Sequence, residues 1–161
     1  MKMRIVVVAF VSLAALGAFR SSVRAEPTAP AQQAPATSAP EPPQSVWDGI
    51  YTDAQSQRGG LLYSEKCAPC HAPDLSGGET APALASPDFK SNWSGLSVDD
   101  LFERIKISMP QDNPGSLSRQ QTADILSFVL SKGGFPAGKT ELAREAEVLK
   151  QIRFEATRPS P

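Results

Sequence analysis

The sequence predicts an all-α domain, and three observations carry that prediction. No stretch of the 161 residues alternates apolar and polar side chains with a sustained period of two. Three segments open on residues suited to cap a helix, at Thr52, Ser97 and Ser118. In the second of these, Val98, Leu101, Phe102 and Ile105 fall at i, i+3, i+4 and i+7, which is one apolar face of a helix.

The chain begins with material expected to lie outside that domain. Lys2 and Arg4 precede an apolar run from Ile5 to Phe19, and Val23 and Ala25 form a small-residue pair ahead of a cut. This is the pattern of a secretory signal over residues 1–25. An uncleaved membrane anchor is the alternative, although a span needs about 20 apolar residues. No twin-arginine pair is present, so a Sec-type route is the simpler export expectation. Removing 1–25 leaves 12 basic against 17 acidic residues, a net charge of −5. An acidic chain of this kind is not expected to bind nucleic acid. A membrane partner is expected only if the N-terminal segment is retained. Residues 26–45 form a Pro/Ala-rich linker containing Pro27, Pro30, Pro35, Pro40, Pro42 and Pro43. It reads as a semi-rigid polyproline spacer or simply as a disordered N-terminus.

The folded domain is expected over 46–135. Trp47, Ile50 and Tyr51 cluster just before the first helix, which Thr52 and Gln55 open as a capping box and which runs to about Lys66. Gly59 and Tyr63 share one face of that helix, with Leu62 beside them. A helical glycine costs about 1 kcal/mol relative to alanine, so Gly59 suggests close approach of another helix. Residues 72–92 read as loop, punctuated by Pro73, Gly77, Gly78, Pro82 and Pro87. A loop of that length is unusual in a compact domain unless a bound group supplies the missing core. Ser97 caps the second helix, with Asp99 and Asp100 in its first turn and Pro110 after its end. Ser118 and Gln121 form a capping box on a strongly apolar helix that Gly133 and Gly134 close. Residues 136–161 are expected as a C-terminal extension carrying a short surface helix within 140–153.

The chemistry centres on Cys67-Ala68-Pro69-Cys70-His71. A Cys-x-x-Cys pair followed at once by His is the attachment signature of c-type haem. Two thiols at that spacing reach the two vinyl groups of one porphyrin, and the adjacent His71 falls under the iron as proximal ligand. Zinc, a redox dithiol and a plain disulfide compete with this reading. A closed zinc site wants four Cys or His ligands, and the chain has two Cys and one His in all. A redox dithiol would sit in a βαβ pattern that is not found, and a disulfide would not need the histidine.

A second axial ligand follows by elimination. With no other histidine in the chain, bis-histidine ligation within one polypeptide is excluded. Met1 and Met3 leave with the signal, so Met109 is the one methionine of the mature chain. Its thioether is a soft ligand suited to haem iron, and Pro110 would hold it out of the preceding helix. The alternative is that Met109 fills core and the iron is five-coordinate or carries another ligand.

With these residues in place, the chain resembles a class I cytochrome c over about residues 46–135. The resemblance implies a small cytochrome c fold, about three core helices wrapped around one covalently attached haem. It also implies that Gly59 and Tyr63 meet Phe128 where the N- and C-terminal helices cross. Pro82 matches the proline whose carbonyl accepts a hydrogen bond from the proximal histidine, although Ala81 stands where the family often has glycine. Trp93 could donate its N–H to a haem propionate or be a core tryptophan. Trp47-Asp-Gly-Ile-Tyr51, the loop from Met109 to Gly115, and Gly134-Phe-Pro-Ala-Gly138 further resemble small cytochromes associated with bacterial quinoprotein dehydrogenases.

The function expected is single-electron transfer in the periplasm, between a dehydrogenase and a downstream cytochrome or oxidase, without catalysis by this chain. Residues 46–135 hold seven basic and eleven acidic residues, and charge of one sign steers weak, fast docking. The alternative is a haem enzyme or gas sensor with an open sixth position. Peroxide chemistry would then need distal polar groups, for which only Arg104 or Arg119 could serve.

Overall fold

The computed structural model describes residues 45–79 and 81–160. The expected signal segment and nearly all of the linker lie outside the described residues. Six helices follow in order: α1 (Asp53–Lys66), α2 (Ala68–His71), α3 (Pro87–Trp93), α4 (Val98–Ser108), α5 (Arg119–Lys132) and α6 (Ala146–Leu149). A 3-10 turn over Val46–Asp48 precedes them, and among the described residues there is no strand, only isolated bridges of Arg153 to Ser45 and Ser97. No helix among the described residues is long and apolar enough to cross a membrane.

The crossing of α1 on α5 organises the fold. Gly59 permits it, because a Cβ built there would stand 1.8 Å from the Asp124 carbonyl oxygen of α5. One turn further on, the Tyr63 and Phe128 rings meet at 5.2 Å between centroids. Arg58 of α1 reaches Asp124 at 3.1 Å, and Gln120 also donates to that carboxylate. The contact expected from Gly59, Tyr63 and Phe128 is therefore present, with a buried carboxylate tied across it.

The helix caps agree with the sequence in two of three cases. Ser97 with Asp100, and Ser118 with Gln121, form complete capping boxes. At α1 the box is half made. Thr52 accepts from the Gln55 N–H at 3.1 Å, but the Gln55 side chain does not return. It is fully buried and clamps Leu142 instead: Nε2 donates to the Leu142 carbonyl at 3.2 Å, and Oε1 accepts from the Leu142 N–H at 2.6 Å. A buried amide spends its hydrogen bonds where the alternative is leaving them unmade, here on the buried Leu142 backbone rather than at the half-buried cap.

Two further expectations are corrected. The loop read across 72–92 gives way to α3 from Pro87, with the Ser86 hydroxyl accepting from the Phe89 N–H. The segment 140–153 is not a surface helix. Its helix is one turn long, and Leu142, Leu149, Ile152 and Phe154 are all buried in the main core. The chain from 136 onward is a strap that closes the domain. Ile152 accepts from Val98 N–H, Phe154 donates to Leu96, and the Arg153 carbonyl accepts from Val46 N–H.

Two of the three segments noted above for their family likeness, Trp47–Tyr51 and Gly134–Gly138, pack against each other. The Trp47 and Phe135 rings lie 4.8 Å apart edge to face, and the Tyr51 hydroxyl donates to the Phe135 carbonyl at 2.6 Å. Gly138 packs against Gly49 so closely that a Cβ on it would stand 1.8 Å from the Gly49 carbonyl oxygen.

Candidate haem site

The site begins where α1 ends. Cys67 is the junction residue, with its N–H bonded to the Tyr63 carbonyl. The single turn of α2 then places Cys70 at i+3 and His71 at i+4, so all three share one side of the turn. They border a cavity of about 750 Å³, within the size of ordinary cofactor sites. Leu101, Ile105, Ile125 and Val129 supply its apolar walls. Pro82, Trp93 and Met109 border the same cavity, so all six cofactor-binding residues expected from the sequence line it.

The His71 ring is oriented by a loop that glycine makes possible. Nδ1 lies 2.8 Å from the Pro82 carbonyl oxygen. A carbonyl can only accept, so Nδ1 carries the proton and Nε2 of the neutral ring keeps its lone pair for a metal. Pro82 can stand there because Gly77 has φ +80, and a Cβ on it would lie 2.6–2.7 Å from backbone atoms of Ala81, Pro82 and Ala83. Gly77 is thus a supporting residue that the sequence showed only as loop punctuation.

Cys67 and Cys70 are both free thiols. Burial pushes the Cys67 thiol up to about 11, the opposite of what an exchange-active dithiol requires. Among the described residues no group of three or more His, Cys, Asp and Glu side chains is placed to hold a metal ion.

Met109 caps α4. Its N–H bonds the Ile105 carbonyl at 3.0 Å, and its backbone turns extended at φ −119, ψ 150, as the following proline favours. Trp93 is half-buried, and among the described residues its indole nitrogen has no hydrogen-bond partner. The two arginines differ. Arg104 borders the cavity, whereas Arg119 pairs with Glu103, donates to the Arg144 carbonyl and lies 4.6 Å over the Phe102 ring.

These residues fit a covalently held haem: two free thiols and an oriented imidazole on one helical turn, a soft sulfur, and an apolar cavity of cofactor size. Fold and cavity together define a small helical domain with a cavity of cofactor size beside the Cys67–His71 turn. Residues 54–129 match the family model described as cytochrome C oxidase, cbb3-type, subunit III. That match takes in most of both crossing helices, the Cys67–His71 motif and Met109. Residues 54–129 form a class I c-type cytochrome domain, of a family that carries electrons with haem c as its cofactor. The sulfane dehydrogenase SoxCD from Paracoccus pantotrophus, known from a crystal structure, is similar at 20% identity with a TM-score of 0.45. That similarity covers 67% of this chain and 61% of the SoxCD chain, so this protein spans less than two thirds of that chain's length. No curated protein matches the sequence.

Proposed function

We propose that this protein is an exported monohaem cytochrome that passes single electrons from a periplasmic dehydrogenase to a downstream cytochrome or oxidase. Cys67 and Cys70 would hold the haem through thioethers, and His71 and Met109 would supply its iron with a nitrogen and a sulfur ligand. Pro82 fixes the His71 ring, and the unpartnered Trp93 indole is free to donate to a propionate.

The observation that carries this reading is the commitment of His71 Nδ1 to the Pro82 carbonyl beside a cavity that Met109 also borders. The haem supplies a one-electron couple. The chain's own residues do the rest. Thioethers retain the group through repeated turnover, a sulfur ligand raises the potential, and the apolar walls exclude water from the iron. The export signature over 1–25 supports periplasmic placement, where c-type haem is attached. The likeness of the Trp47–Tyr51, Met109–Gly115 and Gly134–Gly138 segments to cytochromes of quinoprotein dehydrogenases supports such an enzyme as donor.

The test is Met109→Ala in protein matured by a cytochrome c assembly system. The ferric wild type is expected to show the weak long-wavelength band of sulfur ligation. The variant is expected to lose that band, keep its covalent haem and have a lower potential. A band that survives the substitution would remove Met109 from the iron.

A further inference from the structure

Tyr63 entered the argument as an aromatic at the helix crossing, a role its ring fills against Phe128. Its hydroxyl has a separate task that a phenylalanine at that position could not perform. Tyr63 is 1% exposed, and its phenol oxygen donates to the Ala72 carbonyl at 2.8 Å, with a longer branch to the His71 carbonyl at 3.3 Å.

The peptide held in this way is an unusual one. Ala72 has φ 64 and ψ 153, a backbone region taken almost only by glycine. At that residue the chain leaves the helical turn carrying His71 and enters the loop that returns with Pro82. The same two carbonyls also anchor the loop, His71 accepting from the Gly77 N–H at 3.0 Å and Ala72 from the Leu75 N–H at 3.2 Å. One buried hydroxyl therefore spans the strained joint between the histidine and the loop that orients its ring.

We propose that the Tyr63 hydroxyl is a positioning group for His71, locking the strained Ala72 peptide and thereby the bond between the His71 ring and the Pro82 carbonyl. This rests on His71 being the iron ligand, as proposed above. Without the hydroxyl, Ala72 relaxes towards an ordinary conformation, the Pro82 carbonyl shifts, and the imidazole becomes a weaker donor to the iron. A weaker donor favours the reduced state, so the potential rises.

The experiment compares matured Tyr63→Phe, Ala72→Gly and the double variant with wild type. Tyr63→Phe keeps the ring against Phe128 and is expected to retain helicity and covalent haem. Its potential should rise, the paramagnetically shifted His71 ring signals should move, and the Gly77 amide should exchange about fivefold faster, as for one lost hydrogen bond. Ala72→Gly in the Tyr63→Phe background should restore all three, because glycine adopts φ 64 without strain. If Tyr63→Phe alone gives no holoprotein, recovery of yield in the double variant supports the proposal and failure to recover contradicts it. Unchanged potential, ring signals and exchange in Tyr63→Phe would overturn it. So would an effect that Ala72→Gly does not reverse, which would mark lost packing instead. Absence of shifted His71 ring signals in the wild type would overturn the ligand assignment itself.

Discussion

Gly59→Ala is expected to destabilise the protein by more than about 3 kcal/mol, beyond the usual range for overpacking. The same change on an open helix face would stabilise by about 1 kcal/mol, so the sign here is set by the neighbour alone. A Cβ at 59 would meet the Asp124 carbonyl oxygen at 1.8 Å and its carbon at 2.4 Å, and neither is a side chain that can rotate away. Relief requires α1 and α5 to separate. That loosens the Tyr63–Phe128 contact, the Arg58–Asp124 pair and the cavity walls Ile125 and Val129 on α5. Gly60→Ala is the control. Its Cβ would lie 3.1 Å from the Phe128 ring, a side chain able to give by a few tenths of an ångström, so a change within about 1 kcal/mol is expected. Urea denaturation of both variants checks the pair, and equal effects would show that the helix crossing does not limit stability.

Phe154→Ala should cost about 3–5 kcal/mol, although the residue lies far along the chain from the haem motif. Its ring is fully buried, 5.3 Å from Phe135 and 6.4 Å from Phe89, and Phe89 is itself a wall of the cavity. Its backbone donates to Leu96 and accepts from Gly95, just ahead of α4, the helix that Met109 ends. A domain stabilised by roughly 5–15 kcal/mol would lose much of its margin, and the yield of mature protein should fall with it. Leu61→Ala, at a side chain 76% exposed, should change stability by no more than about 0.5 kcal/mol. A comparably small loss at Phe154 would show the strap to be an appendage after all.

The contrast between these two sites explains what the sequence could and could not disclose. Gly59 was legible because helical periodicity placed it on one face with Tyr63, and a glycine in a helix needs a reason. Cys67, Cys70, His71 and Met109 stood out because their chemistry is scarce, with one histidine in the whole chain, and all four border one cavity. The strap was not legible. Leu142, Leu149 and Ile152 have helical spacing and read as part of a surface helix, but only one turn of helix forms there, and these residues and Phe154 are buried from the irregular chain around it. Gln55 was misread for a related reason. A glutamine three residues after a threonine cap satisfies the local rule, and only the fold shows that a buried backbone 87 positions away competes for its amide. Helix α3 did leave a signal in Ser86-Pro87-Asp88, an N-cap followed by proline at the first helical position, but the prolines around it read as loop. The Tyr63 hydroxyl left no signal, since its partners are carbonyls of a strained joint that spacing does not reveal.

The account rests on one covalent haem whose iron is closed on both sides by this chain. The visible spectrum of the matured, reduced protein, recorded before and after addition of carbon monoxide, tests that most directly. The predicted result is a c-type reduced spectrum that carbon monoxide leaves essentially unchanged, because the proposed ligation by Met109 leaves no open sixth position. A spectrum that carbon monoxide readily converts would contradict the closed site and favour an enzyme or gas sensor, and a protein that retains no haem would contradict the account at its root.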